Sequence, residues 1–363
     1  MASIKRLGVL TGGGDAPGLN AVIRAVVKSA CNAGIECLGI PDSYDGLLEL
    51  DRPYPLRRED VVGILRQGGT ILGTVNRGNP LTMPVATSDG SIVYADRCLD
   101  IAERLNLDAV IAIGGDGTLA ISHALYQRGM PVVGVPKTID NDIVGTVNTF
   151  GFSTAVEFAS DAIDRLHTTA AAHRRIMIVE VMGRYAGWIA LHAGISGGAD
   201  VILIPEIPYD LEDVARRVKE RDTFGAKFTI IVVSEGAKPS GGQVSLIAEA
   251  PPGGVERLGG IGHKLALELE ALTGKEARTV VLGHLQRGGT PNAYDRVLST
   301  RFGARAVDLC QRRQFGRMVA SHPPDIVPVA LSEVVGRQKQ VPLDSDLIGT
   351  ARLVGISFGD GRL

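Results

Sequence analysis

The chain has 363 residues, of which 45% are hydrophobic and 21% charged, and its net charge is −2. That length accommodates two domains, and so balanced a charge supplies no overall basic field for nucleic acid or an anionic membrane. No apolar run approaches the roughly 18 residues of a membrane span, and the run after Met1 is too short for a signal peptide.

Cys31, Cys37, Cys98 and Cys310 lie far apart with no C-x-x-C pair, as expected of reduced thiols in a cytoplasmic protein. The seven histidines form no ligand-spaced cluster, which argues against a histidine or thiolate metal site.

The first predicted strand, Leu7–Leu10, runs into T-G-G-G-D-A-P-G, Thr11 to Gly18, ahead of a predicted helix over Asn20–Ala33. Glycines there let backbone N–H groups approach an anion, and the helix start adds a positive dipole end. A tight strand-to-helix turn would use the same residues. After a strand at Cys37–Ile40, the strand Ala109–Ile113 ends in I-G-G-D-G-T. A carboxylate such as Asp116 would repel phosphate among those glycines unless a cation lay between, and magnesium suits oxygen ligands. Gly115, Gly117 and Ala120 also read as G-x-G-x-x-A with Asp140 at dinucleotide distance. That reading leaves Asp116 and the first glycine loop unexplained, and a Walker A loop occurs nowhere.

The strand Val132–Val135 leads into P-K-T-I-D-N-D. Asp140 and Asp142, two residues apart, point roughly the same way if the chain there is extended. One could then take a proton from a hydroxyl while the other holds a cation; the alternative is an Asx-type turn with both acids solvated.

A helix over Ser153–His167 precedes H-R-R-I, the strand Ile176–Val181 and E-V-M-G-R, ending at Arg184. Strands at Val201–Ile204 and Phe228–Val233 follow, then a Gly/Pro loop at Pro251–Gly254. The helix Ile261–Thr273 shows one apolar stripe, Ile261, Leu265, Leu269 and Leu272. A last strand, Thr279–Leu282, has Arg278 before it and His284 and Arg287 after it. Guanidinium forks match phosphate oxygens and keep their charge. Several strands are apolar at every position, as parallel strands covered on both faces are. The repeated β-then-α order predicts doubly wound α/β architecture. The motifs fall mostly where strands end, which is where such sheets bind ligands.

Taken together, T-G-G-G-D-A-P-G-L-N, G-G-D-G-T, P-K-T-I-D-N-D, V-E-V-M-G-R and V-L-G-H-L-Q-R-G-G resemble the 6-phosphofructokinase family in order and spacing, from about residue 5 to about residue 310. The resemblance implies two doubly wound, three-layer α/β domains with mainly parallel sheets. Residues 1–151 plus about 286–336 would bind the donor, and residues 152–285 plus about 337–363 would bind fructose 6-phosphate.

It also implies phosphorylation of that sugar's 1-hydroxyl with Asp140 as general base, supported by Thr138, Asp142 and Arg184, and with Mg2+ on Asp116. Gly14, Gly115, Gly117, Thr118 and Lys137 would surround the donor phosphates, with Arg77 of L-G-T-V-N-R-G-N-P as a further donor-side candidate. Thr138, Asp140, Met182, Gly183, Arg184, Glu235, His284 and Arg287 match the sugar-phosphate site. Arg175 and Arg278 match arginines that family members lend from a neighbouring subunit, so a homodimer or homotetramer with shared active sites is expected. Gly12 stands where many members have serine. Arg24 matches an effector-site position whose other basic residues are not clearly matched.

The family uses ATP or pyrophosphate. ATP users typically have glycine at the position of Gly117, where pyrophosphate users have an aspartate that crowds the α-phosphate. A carboxylate at about 4 Å costs roughly 4 kcal/mol at an effective dielectric near 20. Lys137, conversely, stands where pyrophosphate users have lysine and many ATP users glycine. The signature is mixed: ATP is the favoured donor, with a reversible diphosphate-dependent enzyme as the alternative. A lipid or NAD kinase sharing only G-G-D-G-T would not need the intact P-K-T-I-D-N-D and M-G-R segments. A non-catalytic, sugar-phosphate-sensing paralogue would be expected to lose Asp116, Asp140 or Asp142, all of which are present.

Overall fold

The structure, a computed structural model, describes residues 3–76, 80–87, 90–223, 225–248 and 257–362. The chain opens with β1 (Arg6–Gly12), α1 (Leu19–Asn32), β2 (Glu36–Ile40) and the short β3 (Tyr54–Pro55). An antiparallel pair, β4 (Pro84–Thr87) and β5 (Gly90–Val93), leads into α2 (Tyr94–Arg104). Next come β6 (Ala109–Gly114), α3 (Asp116–Gln127), β7 (Val132–Thr138), β8 (Phe150–Gly151) and the long α4 (Phe152–His173). They are followed by β9 (Ile176–Val181), α5 (Trp188–Ser196), β10 (Val201–Leu203), α6 (Leu211–Thr223) and β11 (Thr229–Ser234). A second antiparallel pair, β12 (Leu246–Ala248) and β13 (Arg257–Leu258), precedes α7 (Ile261–Thr273) and β14 (Ala277–Val281). The chain closes with α8 (Ala293–Gln311), β15 (Arg317–His322), β16 (Asp325–Ala330), α9 (Leu331–Val334) and α10 (Asp346–Leu353).

These elements form two compact units. One comprises Met1–Ile139, Ile143–Ser153 and Arg287–Arg337, and the other Asp140–Asp142, Thr154–Gln286 and Gln338–Leu363.

In the first unit the sheet order is β16-β15-β7-β6-β1-β2-β3, with β8 paired to β7. Its central neighbours, from β15 to β2, run parallel, while β16 and β3 close the edges antiparallel. Alternate strand residues serve two different cores. Leu7, Val9, Ile111, Val133 and Val135 pack with Val22, Ile23 and Val26 of α1 and Leu298, Phe302 and Ala306 of α8. Leu10, Val110, Ala112 and Val132 pack on the other face with Tyr94, Cys98 and Ile101 of α2 and Leu125 of α3. Period-2 alternation with both faces apolar is why these strands read as continuous hydrophobic runs. Each fully buried Leu, Ile or Val contributes roughly 1.5–3 kcal/mol through removal from water.

The second unit has a four-stranded parallel sheet ordered β10-β11-β9-β14. Ile176, Ile178, Ile231 and Val233 pack against Val214 and Val218 of α6 and Ile261, Leu265 and Leu269 of α7. Leu272, the last residue of the expected stripe, is only partly buried against this core.

All eight predicted strands coincide with parallel strands of these sheets. The β15–β16 hairpin and the β4–β5 pair were not foreseen: their apolar runs are short, and Pro328 stands inside that of β16. Burial pushes the thiols of Cys37 and Cys98 up to about 12, which leaves them inert. Among the described residues no helix is long and apolar enough to cross a membrane.

Candidate active site

The strand order puts the ends of β1, β6 and β7 side by side. The loop after β1 is held by a neighbouring segment: Thr11 Oγ1 donates to Gly73 O (2.7 Å), Gly13 N–H to Val75 O (3.1 Å) and Thr74 Oγ1 to Gly13 O (2.6 Å). Arg287 closes it from the other side, donating from Nη1 to Asp15 O at 3.1 Å. Its Nη1 lies 2.8 Å from where a Cβ on Gly14 would be, so Gly14 is what admits the guanidinium.

The loop after β6 opens α3. Asp116 is the exposed first residue of that helix, where the dipole favours negative charge. Thr118 is buried beneath, and a Cβ on Gly12 would meet Thr118 Oγ1 at 2.6 Å and Ser43 Oγ at 2.7 Å. A glycine at position 12 therefore follows from this chain's own packing. Gly117 is the opposite case: a Cβ there would have nothing within 4 Å.

Lys137, at the end of β7, joins the two glycine loops. It is 4% exposed, and its Nζ donates to Gly14 O. The same atom lies 3.4 Å from the Cβ direction of Gly13 and 4.0 Å from that of Gly115. Two adjacent glycine turns, a helix N-terminus, a buried ammonium and a guanidinium make a basic, amide-rich cradle for phosphate.

Beyond Lys137 the backbone does not stay extended. Asn141 is buried with φ 52, a left-handed residue between Asp140 and Asp142. The expectation that an extended chain aligns the two carboxylates is thus corrected. The bend exists because Asn tolerates this conformation and because its side chain is bonded: Lys339 Nζ donates to Asn141 Oδ1 at 3.0 Å. Thr138 O accepts from Thr149 Oγ1 at 2.7 Å.

In the second unit, the carboxyl ends of β9, β11 and β14 carry the remaining sugar-side candidates. Gly183 has φ 138, and its carbonyl accepts from Ser234 Oγ at 2.6 Å and from Gly236 N–H at 3.2 Å. A Cβ on Gly236 would lie 2.0 Å from Arg184 O, so the Met182–Arg184 and Ser234–Gly236 turns interlock at backbone distance. Glu235 N–H donates to Val181 O at 2.9 Å. His284 is exposed in the short turn after β14. Glu180, the buried first residue of E-V-M-G-R, accepts from Gly260 and Gly262 N–H at 3.3 and 2.8 Å and so holds the start of α7.

Arg175 and Arg278 are not with this group. They flank the amino ends of β9 and β14, where Arg175 Nε meets Glu276 at 2.5 Å and Arg278 pairs with the same carboxylate. Both arginines hold Glu276 below the usual carboxylate range, Arg175 most strongly. β9 has six residues, which separates its two ends by roughly 20 Å. Arg77 lies outside the described residues. Sequence reasoning missed Asn141, Lys339, Ser234 and Gly236. Asn141 stood inside a quoted motif, whereas nothing local distinguished the other three.

The phosphofructokinase family profile matches residues 6–310. The chain is an enzyme of the phosphofructokinase family. A relative from Chloroflexus aurantiacus named ATP-dependent 6-phosphofructokinase is 56% identical, over 99% of each chain. One from Clostridium perfringens, ATP-dependent 6-phosphofructokinase 2, is 49% identical over 99% of this chain and 100% of its own. Among solved structures, phosphofructokinase from Pichia pastoris in the T-state superimposes with a TM-score of 0.79 at 29% identity, covering 92% of this chain and 36% of that one. A pyrophosphate-dependent phosphofructokinase from Marinobacter aquaeolei gives 0.80 at 21% identity, over 95% and 88%. A phosphofructokinase named for pyrophosphate thus shares this fold, so the fold alone does not select the donor.

Proposed function

We propose that this protein transfers the terminal phosphoryl group of ATP to the 1-hydroxyl of fructose 6-phosphate, giving fructose 1,6-bisphosphate and ADP. The observation that carries this reading is Lys137, which closes two glycine loops of phosphate-binding type three residues before Asp140. Phosphoryl transfer asks a protein mainly to position its reactants and neutralise charge. Lys137 and the loop amides supply that charge balance on the donor side, while Arg287, lodged against Gly14, serves the sugar phosphate. Asp140 accepts the proton of the 1-hydroxyl as its oxygen bonds to phosphorus and the bond to the ADP oxygen breaks. Thr138, Asp142 and Arg184 keep the acceptor aligned, and Met182, Gly183, Glu235 and His284 shape its site.

Among the described residues no group of three or more His, Cys, Asp or Glu could hold a metal ion. Magnesium still fits, because it is typically bound by one or two carboxylates plus substrate phosphates, and Asp116 at the head of α3 offers one beside the cradle. When bound, the ion would neutralise phosphate charge.

Two observations support ATP over diphosphate. The relatives above are named ATP-dependent, and the space beside Gly117 is open. Lys137, which stands where diphosphate users have lysine, holds Gly14 O, a role compatible with either donor. The placement of Arg175 and Arg278 at the far ends of β9 and β14 supports their service to a neighbouring subunit's sugar phosphate, and hence a homodimer or homotetramer. In this reading the first unit binds the donor and the second the sugar.

The test is direct: protein, magnesium and fructose 6-phosphate, with ATP or diphosphate in parallel. Turnover with ATP is expected. Turnover with diphosphate alone overturns the donor assignment, and turnover with neither overturns the enzymatic reading.

A further inference from the structure

A short segment near the end of the chain, Gln338 to Val341, straps both sugar-side loops of the second unit. Lys339 is bonded at three points: its N–H donates to Asp142 O (2.7 Å), its Nζ to Asn141 Oδ1 (3.0 Å), and its carbonyl accepts from Trp188 Nε1 (2.9 Å). The ammonium also sits 5.4 Å from the centre of the Trp188 ring. Just beyond this anchor the strap reaches the turn after Arg184. Gln340 Nε2 donates to Tyr185 O at 3.3 Å, and Val341 N–H donates to Glu206 Oε1 at 2.8 Å. Glu206 in turn takes the Gly187 N–H on both oxygens, at 3.0 and 3.1 Å.

From these contacts we infer that Lys339 is a positioning residue for phosphoryl transfer, locking the left-handed Asn141 so that Asp140 and Asp142 keep fixed directions. Asn141 is the hinge of the bend between the two carboxylates. Releasing its side chain would let the backbone relax towards the right-handed region and swing both acids.

The lysine is also costly to keep. Burial lowers it to about 8, although the carboxylate of Asp142 pulls the other way. The titratable groups facing it are Asp142 on the loop and His192 of α5, itself pushed down by burial and by Lys339, with Glu206 behind the strap. A folded-state value below the unfolded one means the folded chain binds fewer protons between about 8 and the ordinary lysine range near 10.4. Stability then rises with pH across that window, and below it the buried charge is a net penalty. A mere strut would not need the charge.

The inference rests on the function proposed above, and its test separates the two. Lys339→Met keeps the stem and removes the ammonium. Its kcat should fall about 10–100-fold, the loss expected of a slightly misplaced base, with KM for fructose 6-phosphate within about threefold and a melting temperature equal to or above the wild type at pH 7. Lys339→Arg, which keeps a cation, should recover part of that kcat. A Met variant with wild-type kcat overturns the inference while leaving the function intact. So does a Met variant that melts several degrees lower, with kcat and KM equally impaired and no rescue by Arg. A wild type inactive with both donors overturns the functional reading and this one together.

Discussion

The donor and sugar sides proposed above begin within three residues of each other, at Lys137 and Asp140, yet they are built in opposite ways. The donor cradle is made of backbone. Its glycines admit Arg287 and Lys137, and its holding contacts come mostly from a few segments at the same sheet end. The sugar-side loop depends on side chains as well, and one bond that holds it spans 198 positions, from Asn141 to Lys339. A cradle for a diffuse anion needs close approach and open space. A base acting on one hydroxyl needs a fixed direction, and only packed side chains supply that.

Asp140→Ser puts the greatest strain on this contrast. The rate should fall by several orders of magnitude, beyond the middle of the roughly 10²–10⁴-fold range for general bases, while fructose 6-phosphate binding, followed by calorimetry, stays nearly intact. An unchanged rate would leave the elaborate support of the sugar-side loop with nothing to support.

Gly117→Asp probes the cradle. Since the added Cβ meets nothing within 4 Å, and an acid in the first turn of α3 is favoured by the helix dipole, the melting temperature should hold or rise. A carboxylate about 4 Å from a phosphate charge costs roughly 4 kcal/mol, so ATP turnover should fall about a thousandfold. Turnover with diphosphate, which has no α-phosphate and no nucleoside, should be impaired less. Equal loss with both donors would show that the open space beside Gly117 does not face the nucleotide.

The same contrast explains what the sequence could tell. Parallel strands announce themselves as apolar runs, so the two sheets were legible, and so were T-G-G-G-D and G-G-D-G-T, where the chemistry lies in consecutive backbone units. The direction of Asp142 was not legible. The alternation rule assumes an extended chain, and a tertiary hydrogen bond from Lys339 overrides it at Asn141. Nor could a sequence show that Lys137 binds Gly14 O, a contact 123 positions apart. The β16 edge strand escaped because Pro328 stands inside its apolar run, which reads against a strand.

The mildest perturbation separates what one chain holds from what two must share. Arg175 sits at the amino end of β9 and Met182–Arg184 follow its carboxyl end, the separation on which the proposal of shared sites rests. Arg175→Ala removes one charge-assisted hydrogen bond to phosphate, worth roughly 1.5–3 kcal/mol, and should raise KM for fructose 6-phosphate about 10–100-fold. Its kcat should change little, because the reacting 1-hydroxyl is at the other end of the sugar. The melting temperature should hardly move, since the pair with Glu276 is exposed and screened by solvent. Co-expressing this variant with Asp140→Ser then decides the matter at low substrate. If sites are shared, a mixed oligomer contains one type of site in which both residues are intact, and activity exceeds the sum of the two parents. If activity is merely additive, the arginine acts on its own chain or not at all, and the second unit's sheet holds a surface ion pair where a shared site was proposed.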